Sequence, residues 1–253
     1  MRAALAGLPV SPIHYFETIG STNDYAQSLA EQAAPDSALV VADEQTRGRG
    51  RLSRKWVTFP NAGLAFSLVL RPSPGEMNAL GLFAPLWGLA VCRALREWLH
   101  LNAEIKWPND VLVNRRKICG ILVEAHWLGS NLQYVIAGIG VNVAPSSVPA
   151  SGDLVFPATC VENELGRPIE REELLAAILT AFFAERPRLG SAAFFETWMR
   201  WLAFKDEWVR VEGASGSHHG RVVGISPDGS LRLRAENGAE IEVAVGDVSL
   251  RAE

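Results

Sequence analysis

The sequence predicts an α+β fold, in which a mixed β-sheet packs against helices and a small β-barrel follows at the carboxyl end. Short apolar, β-branched runs alternate with longer amphipathic stretches through most of the chain. After about residue 206, alternating strands are separated by Pro-Asp-Gly and Glu-Asn-Gly turns, which is typical of hairpins. The length of 253 residues suits one large domain and one small one. We therefore expect domains over residues 1–206 and 207–253.

The first predicted helix begins after Ser21. A serine or threonine in front of an amphipathic run is a typical N-cap, and Ala26, Leu29 and Ala30 recur on one face of that run. Later stretches are long and apolar enough for helices that pack against a sheet. These predicted helices cover residues 80–99, 170–186 and 191–203.

The predicted strands are short runs rich in Val, Ile and Leu, several without the polar alternation of a half-exposed strand. Such runs suggest strands buried on both faces, as expected when helices cover a sheet. The HYFETI segment forms the first strand. The others are predicted over residues 38–42, 63–70, 110–114, 118–125 and 132–143.

Composition excludes several classes of protein. No apolar run approaches the roughly 20 residues needed to span a bilayer, and prolines interrupt the apolar start too early for a secretory signal. Cys92, Cys119 and Cys160 are too far apart for a metal or redox motif, and their number is odd. A reducing cytoplasm is therefore the expected location, without membrane association.

A basic loop is the most unusual segment. The ten residues 47–56, RGRGRLSRKW, carry five positive charges and no negative one, although the whole chain has a net charge of −4. Focused positive charge fits one small anion better than a long polyanion such as nucleic acid. Glycines can adopt positive φ and turn backbone N–H groups inward, while arginines donate in pairs to phosphate or carboxylate. Mutual repulsion predicts that residues 47–55 stay mobile until an anion binds.

Common catalytic and phosphate-binding motifs are absent from the sequence. There is no Gly-Lys-Ser/Thr pair for a P-loop, and the Gly-x-Gly pairs at 48–50 and 138–140 lack the third glycine of a dinucleotide fingerprint. No nucleophile elbow or zinc-ligand spacing occurs, so no metal site is expected within the protein.

Two further segments carry polar residues where strands begin or end. Lys106, Asn109 and Asp110 surround a proline turn, and Lys117 follows closely. Asn142 stands at the end of the last apolar strand of the large domain. Each segment alone could be ordinary turn or core structure. Together with the basic loop they indicate a ligand site.

At these residues the chain resembles the biotin protein ligases, of the type without a DNA-binding domain. The resemblance covers the predicted large domain and implies a class II aminoacyl-tRNA synthetase-like catalytic fold, with an SH3-like barrel for the β-rich end. Ser53 departs from the family pattern, which usually has a glycine there. The matching segments are STN (21–23), QTRGRGRLSRKW (45–56), KWPNDVLV (106–113), RKICGILVE (116–124) and GIGVNV (138–143).

The resemblance implies that the protein joins biotin to ATP as biotinyl-5′-AMP and then passes biotin to a lysine of a carrier protein. Arg49, Arg51 and Lys117 match the positions of the catalytic cations. On chemistry and position alone, Asp110 is a candidate base for the incoming lysine. ATP would arrive with Mg²⁺, and the carrier would be the biotin carboxyl carrier protein of a carboxylase. The matching biotin-binding positions are Ser21, Thr22, Asn23, Gln45, Gly48, Arg49, Gly50, Arg51, Lys117 and Gly120. Those for ATP are Arg51, Arg54, Trp56, Lys106, Asn109, Asp110 and Asn142.

Three alternatives remain at this level. A lipoate-protein ligase shares the fold and the adenylate, but it lacks the Gly-Arg-Gly-Arg loop in this form. A biotin-sensing repressor would need a helix-turn-helix, for which the residues before the HYFETI strand are too few. A binding module without catalytic activity would not need a basic residue at every expected cationic position of the site. We therefore expect an enzyme without specific DNA binding, while a homodimer stays open.

Overall fold

The computed structural model describes residues 3–149, 156–213, 216–244 and 248–252, and in the last range the backbone only. Strands and helices alternate through the first part, and strands alone make up the last part. The strands of the first part are β1 (Ile13–Ile19), β2 (Leu39–Gln45), β3 (Gly63–Leu70), β4 (Ala103–Lys106), β5 (Asp110–Val113), β6 (Arg116–Leu128) and β7 (Asn131–Asn142). The helices are α1 (Thr22–Glu31), α2 (Pro74–Met77), α3 (Phe83–Glu97), α4 (Val161–Leu165), α5 (Arg171–Glu185) and α6 (Ala192–Arg200).

The seven strands form one mixed sheet in the order β1-β2-β3-β7-β6-β5-β4. The β1–β2 pair is parallel and joined through α1, whereas the neighbouring pairs from β2 to β4 are antiparallel. This is the predicted mixed sheet. The long β6–β7 hairpin lies near its centre, and every residue of β3 is buried.

Helices cover both faces of the sheet, which explains the continuous apolar strands. On one face α3 and α5 pack together, and Trp87 stacks on Phe182 with ring centroids 3.9 Å apart. On the other face α1 packs Ala26 and Ala30 against β2, β3 and β7. Because β2 alternates between the two cores, its residues are apolar on both sides.

The predicted helices differ from the observed ones mainly at their ends. Helix α3 begins at Phe83 rather than at residue 80, because residues 80–82 form a separate 3₁₀ turn. Ser21 caps α1 as expected, since its hydroxyl accepts a hydrogen bond from the backbone N–H of Asp24 at 3.4 Å. Among the described helices, none has the length and apolar character to cross a bilayer.

The last part of the chain is a second, antiparallel sheet, which fits the predicted small β domain. Its five strands run in the order β11-β10-β9-β8-β12. Trp107 of the large domain donates its indole N–H to the carbonyl of Gly229 at 3.0 Å, in a turn of this sheet. The domain boundary after residue 206 stays a prediction. The strands are β8 (Trp208–Gly213), β9 (Gly216–Ile225), β10 (Leu231–Arg234), β11 (Glu240–Val243) and β12 (Val248–Ala252).

Candidate active site

A cavity of about 640 Å³ opens over the β6–β7 pair, beside the amino end of α1. The basic loop forms one wall, and the turn between β4 and β5 forms another. Every predicted site residue except Gly48 lines this cavity, so the topology brings segments together that are far apart in sequence. The predicted residues in the lining are Ser21, Thr22, Asn23, Gln45, Arg49, Gly50, Arg51, Arg54, Trp56, Lys106, Asn109, Asp110, Lys117, Gly120 and Asn142.

The floor of the cavity is made of glycine backbone. Gly120 and Gly140 are cross-strand partners in the β6–β7 pair, and the indole of Trp56 lies over both of them. A Cβ atom at Gly140 would be 2.3 Å from the Trp56 ring, and one at Gly120 would be 2.9 Å from it. The indole therefore lies against bare backbone, in space that any side chain at these two positions would fill.

The basic loop is a short hairpin with a two-residue turn. Arg49 and Lys55 form an antiparallel bridge, and the backbone N–H of Gly50 donates to the carbonyl of Arg54 at 2.7 Å. The positive φ angles fall on Leu52 and Ser53 at the tip, both at 57°. This is the backbone twist that a tight hairpin turn requires.

The two glycines of this loop serve a different purpose from the one predicted. Neither Gly48 nor Gly50 has a positive φ, so the expectation that they turn N–H groups inward was wrong. A Cβ atom at Gly48 would lie 2.3 Å from the Trp56 carbonyl oxygen. Gly48 therefore allows the two sides of the hairpin to approach closely, and it does so from outside the cavity lining.

One end of the cavity, the neutral end, is lined by the uncharged side chains of Ser21, Thr22, Asn23 and Gln45. The backbone N–H of Thr22 donates to Oε1 of Gln45 at 2.8 Å, and the Thr22 hydroxyl lies 3.0 Å from the same oxygen. Asn23 donates from Nδ2 to Glu124 at 2.7 Å. Ser21, Thr22 and Asn23 are all nearly fully buried, and all three line the cavity.

Arg49 lies at this same end, where two carboxylates neutralise it. Its guanidinium donates to Glu124 at 2.8 and 3.0 Å and to Asp24 at 2.8 Å. The hydrogen bond to Glu124 raises the pKa of Arg49 above its already high ordinary value. This pairing removes part of the repulsion on which the predicted mobility of the loop was based.

The opposite end holds a carboxylate between two lysines. The ammonium of Lys117 lies 2.6 Å from Oδ1 of Asp110, and that of Lys106 lies 3.4 Å from Oδ2. The 2.6 Å contact is an ion pair rather than an aligned hydrogen bond, since Oδ1 lacks a partner in good hydrogen-bond geometry among the described atoms. Burial opposes ionisation of Asp110, but the two lysines outweigh burial and lower its pKa. A carboxyl group with a lowered pKa is a weak base.

Asparagines hold the remaining walls in place. Asn109 donates to the backbone carbonyl of Ile121 at 2.7 Å and accepts from Arg51 at 3.1 Å. Asn142 donates to the carbonyl of Thr159 at 3.0 Å. Arg51 therefore extends from the basic loop to the β4–β5 turn and links the two walls across the cavity.

Comparison with known proteins agrees with this geometry. Residues 15–142 match the biotin/lipoate A/B protein ligase family, and residues 206–251 match the biotin protein ligase C-terminal domain. The chain belongs to the biotin/lipoate A/B protein ligase family. As a member of that family it places the family's matching segments around one cavity.

Individual relatives of this ligase-family member are similar over most of their length. It is 36% identical to a biotin–[acetyl-CoA-carboxylase] ligase of Paracoccus denitrificans, over 87% of this chain and 93% of that protein. It is 31% identical to the bifunctional ligase/repressor BirA of Bacillus subtilis, over 93% of this chain and 73% of that protein. The biotin protein ligase of Aquifex aeolicus in complex with biotin and ATP superposes with a TM-score of 0.81 at 30% identity, covering 96% of this chain and all of that one.

Several residues of the ligase-family site were not predicted from the sequence. Glu124 lies near the end of a matching segment but was treated as part of a strand. Gly138 belongs to a failed dinucleotide motif and to the matching segment GIGVNV, but it was not predicted as a site residue, yet a Cβ atom there would lie 2.1 Å from Oδ1 of Asn23. Ser67 on β3 had no signal, because it lies in an otherwise apolar buried strand. Phe156 lines the cavity from a segment without a motif, with its ring 5.0 Å from the Lys106 ammonium.

The carboxylates of the site do not form a metal centre by themselves. Among the described residues, no group of three or more His, Cys, Asp or Glu side chains could hold a metal ion. Asp110 is the acidic residue in the cavity lining, and both neighbouring lysines compete for it. This donor set fits a divalent ion that arrives with the phosphates of a nucleotide, since Mg²⁺ usually keeps only one or two protein carboxylates.

Proposed function

We propose that the protein is a biotin protein ligase that activates biotin with ATP and transfers it to a lysine of a carrier protein. One observation carries the proposal: the same cavity has a neutral hydrogen-bonding end at Ser21 and Thr22, a floor of glycine backbone, and a cationic end at Lys117. Biotin has the complementary form, with a polar ureido ring at one end and a carboxylate at the other.

In the first step, an oxygen of the biotin carboxylate attacks the α-phosphorus of ATP. A new P–O bond forms, the bond to the β-phosphate breaks, and pyrophosphate leaves with its electron pair. Two anions must be brought together, so positive groups fixed at the point of attack lower the barrier. Lys117 and Lys106 are already held side by side there by Asp110, and Arg51 extends to the same wall.

In the second step, the neutral amine of the carrier lysine attacks the carbonyl carbon of biotinyl-5′-AMP. An amide bond forms, the bond from the carbonyl carbon to the phosphate oxygen breaks, AMP leaves as the phosphate anion, and the proton of the amine passes to solvent water. The lowered pKa of Asp110 argues against its role as the base, so the carboxyl is better regarded as the counter-charge of the lysines. No side-chain nucleophile is required in either step.

The roles of Arg49 and Trp56 follow from their positions. Arg49 contacts Glu124, seven residues beyond Lys117 on β6, which corresponds to roughly 20 Å of strand. We therefore assign Arg49 to holding the hairpin over the neutral end, and its predicted catalytic role stays a prediction. Trp56 covers the glycine floor, so a ligand that lies on the floor must displace its indole or share the space with it.

Several partners of the reaction belong to the proposal. ATP enters with Mg²⁺ on its phosphates, and the carrier is the biotin carboxyl carrier protein of a carboxylase. A cytoplasmic location and the absence of specific DNA binding are expectations from the sequence. Sedimentation analysis would show whether the protein is a homodimer. The family resemblance to biotin–[acetyl-CoA-carboxylase] ligases supports this choice of carrier.

Pyrophosphate release tests the function directly. The purified protein is incubated with ATP and Mg²⁺, with biotin, with lipoate, or with neither, and pyrophosphate is measured over time. We expect release that depends on biotin, with lipoate a poor substitute. Equal rates with lipoate would indicate the other branch of the family, and no release with biotin would refute the proposal.

A further inference from the structure

Ser67 lies directly behind the neutral end of the cavity and does not line it. It belongs to β3 and has no exposed surface. Its hydroxyl oxygen is 2.7 Å from the Thr22 hydroxyl and 2.6 Å from Oδ1 of Asn23. A serine hydroxyl has a single proton, so it can donate to only one of these two neighbours.

The orientation of Asn23 decides which neighbour receives the proton. Glu124 can only accept while ionised, so the amide nitrogen of Asn23 must face it, and the amide oxygen then faces Ser67. Both oxygens of Glu124 also accept from the Arg49 guanidinium, so neither of them turns a proton towards Asn23. An amide oxygen has no proton to give, and at 2.6 Å two lone pairs would repel. Ser67 must therefore donate to Asn23.

The proton of Thr22 is fixed as a consequence. Because Ser67 donates its proton to Asn23, it can only accept a hydrogen bond from Thr22. The Thr22 hydroxyl must therefore point at Ser67. Oε1 of Gln45 accepts the backbone N–H of Thr22 and also lies 3.0 Å from its hydroxyl, but a Thr22 proton turned to Gln45 would leave the Ser67 and Thr22 oxygens 2.7 Å apart with no proton between them. Thr22 then has no proton left for the cavity, and its oxygen presents lone pairs there.

We propose that Ser67 is a positioning residue that makes Thr22 a hydrogen-bond acceptor towards the ligand, and that this selects a ligand with an N–H group. The inference rests on the proposed function. A ureido ring has two N–H donors, so one of them can pair with Thr22. A lipoate dithiolane ring has none, and it would leave this buried acceptor unpaired, which is costly.

The test compares Ser67→Ala, Ser67→Cys and a control, Ser37→Ala, which removes another buried serine hydroxyl away from the cavity. Pyrophosphate release is measured at varied concentrations of biotin, of dethiobiotin, which keeps the ureido ring, and of ATP. For Ser67→Ala we expect the KM for both biotin compounds to rise about ten-fold by the same factor, with kcat and the KM for ATP nearly unchanged. Cysteine, a weak donor, should give an intermediate rise.

The outcomes separate this inference from the function on which it rests. A wild-type protein without biotin-dependent release would overturn both. A normal wild type with a Ser67→Ala KM for biotin within two-fold would overturn the positioning role alone, and so would an equal rise in the KM for ATP. If Ser67→Ala does not fold, Ser67→Cys carries the test: a KM for biotin equal to that of the wild type would overturn the role.

Discussion

Replacing Asp110 by asparagine removes the negative charge between two lysines and keeps the shape of the side chain. The side chains of Asp110 and Lys106 are 13% and 8% exposed, and that of Lys117 is 27% exposed. At an effective dielectric constant of about 20, a pair of unit charges 4 Å apart is worth roughly 4 kcal/mol. Removing one partner from a buried ion pair typically costs about 3–5 kcal/mol. We expect Asp110→Asn to lower the free energy of unfolding by that amount.

Urea unfolding of the wild type and of Asp110→Asn, with and without saturating biotin and MgATP, measures this cost. For a chain of this size the loss corresponds to a fall in Tm of roughly 10 °C. Bound ligand should reduce the difference in the free energy of unfolding between the two proteins, because the carboxylate and phosphates of the adenylate give the lysines new anionic partners.

Acid provides an independent check on the same group. Because the pKa of Asp110 is lowered in the folded protein, its contribution is fully present above the ordinary value of 3.8 and is lost as the pH falls through the folded pKa. The difference in the free energy of unfolding between wild type and variant should therefore have its full value at neutral pH and should disappear only in strong acid. A cost below about 1 kcal/mol at pH 7, or a cost that ligand leaves unchanged, would refute the reasoning.

Four further predictions concern the same cavity. Lys117→Ala should reduce the single-turnover rate of adenylate formation far more than Lys205→Ala, an exposed control; similar rates in both would contradict its place at the reacting centre. Ser53→Gly should relieve a left-handed residue at the hairpin tip and raise the free energy of unfolding by about 1 kcal/mol, which urea denaturation would detect. Gly140→Ala should push the indole off the cavity floor and raise the KM for biotin at least ten-fold; an unchanged KM would mean that ligand does not use the floor. Residues 47–55 should exchange amide hydrogen faster in the free protein than with a non-hydrolysable adenylate analogue, and identical exchange would show a preformed loop.

Apolar periodicity was enough to predict the main elements of the large sheet. Strand β3 has the predicted bounds, because a run that is buried on both faces has no polar position to blur its ends. Helix α3 is shorter than predicted, since apolar content alone cannot tell a helix from the 3₁₀ turn that precedes it. The short helices α2 and α4 had too few residues for a periodic signal.

The cavity could be predicted where a charge or a turn signal marks the residue. The basic loop and the turn with Lys106 were recognisable on these grounds, and the resemblance indicated that they belong to one site. Ser67 and Glu124 could not be found, because their role depends on which strands become neighbours in the sheet. The glycines of the loop were found for the wrong reason: Gly48 is needed for close approach to the neighbouring backbone, which only the folded hairpin reveals.

The hydrogen bond from Trp107 to Gly229 has a consequence for how the protein unfolds. A Cβ atom at Gly81 would lie 2.2 Å from the Asp228 carbonyl oxygen, so the backbones of the two domains are in direct contact beside this bond. If the small sheet detached, a buried indole N–H would lose its acceptor, which costs about 1–3 kcal/mol where water cannot replace it. We therefore expect the small β domain to unfold together with the turn that carries Lys106 and Asp110, at the cationic end of the cavity.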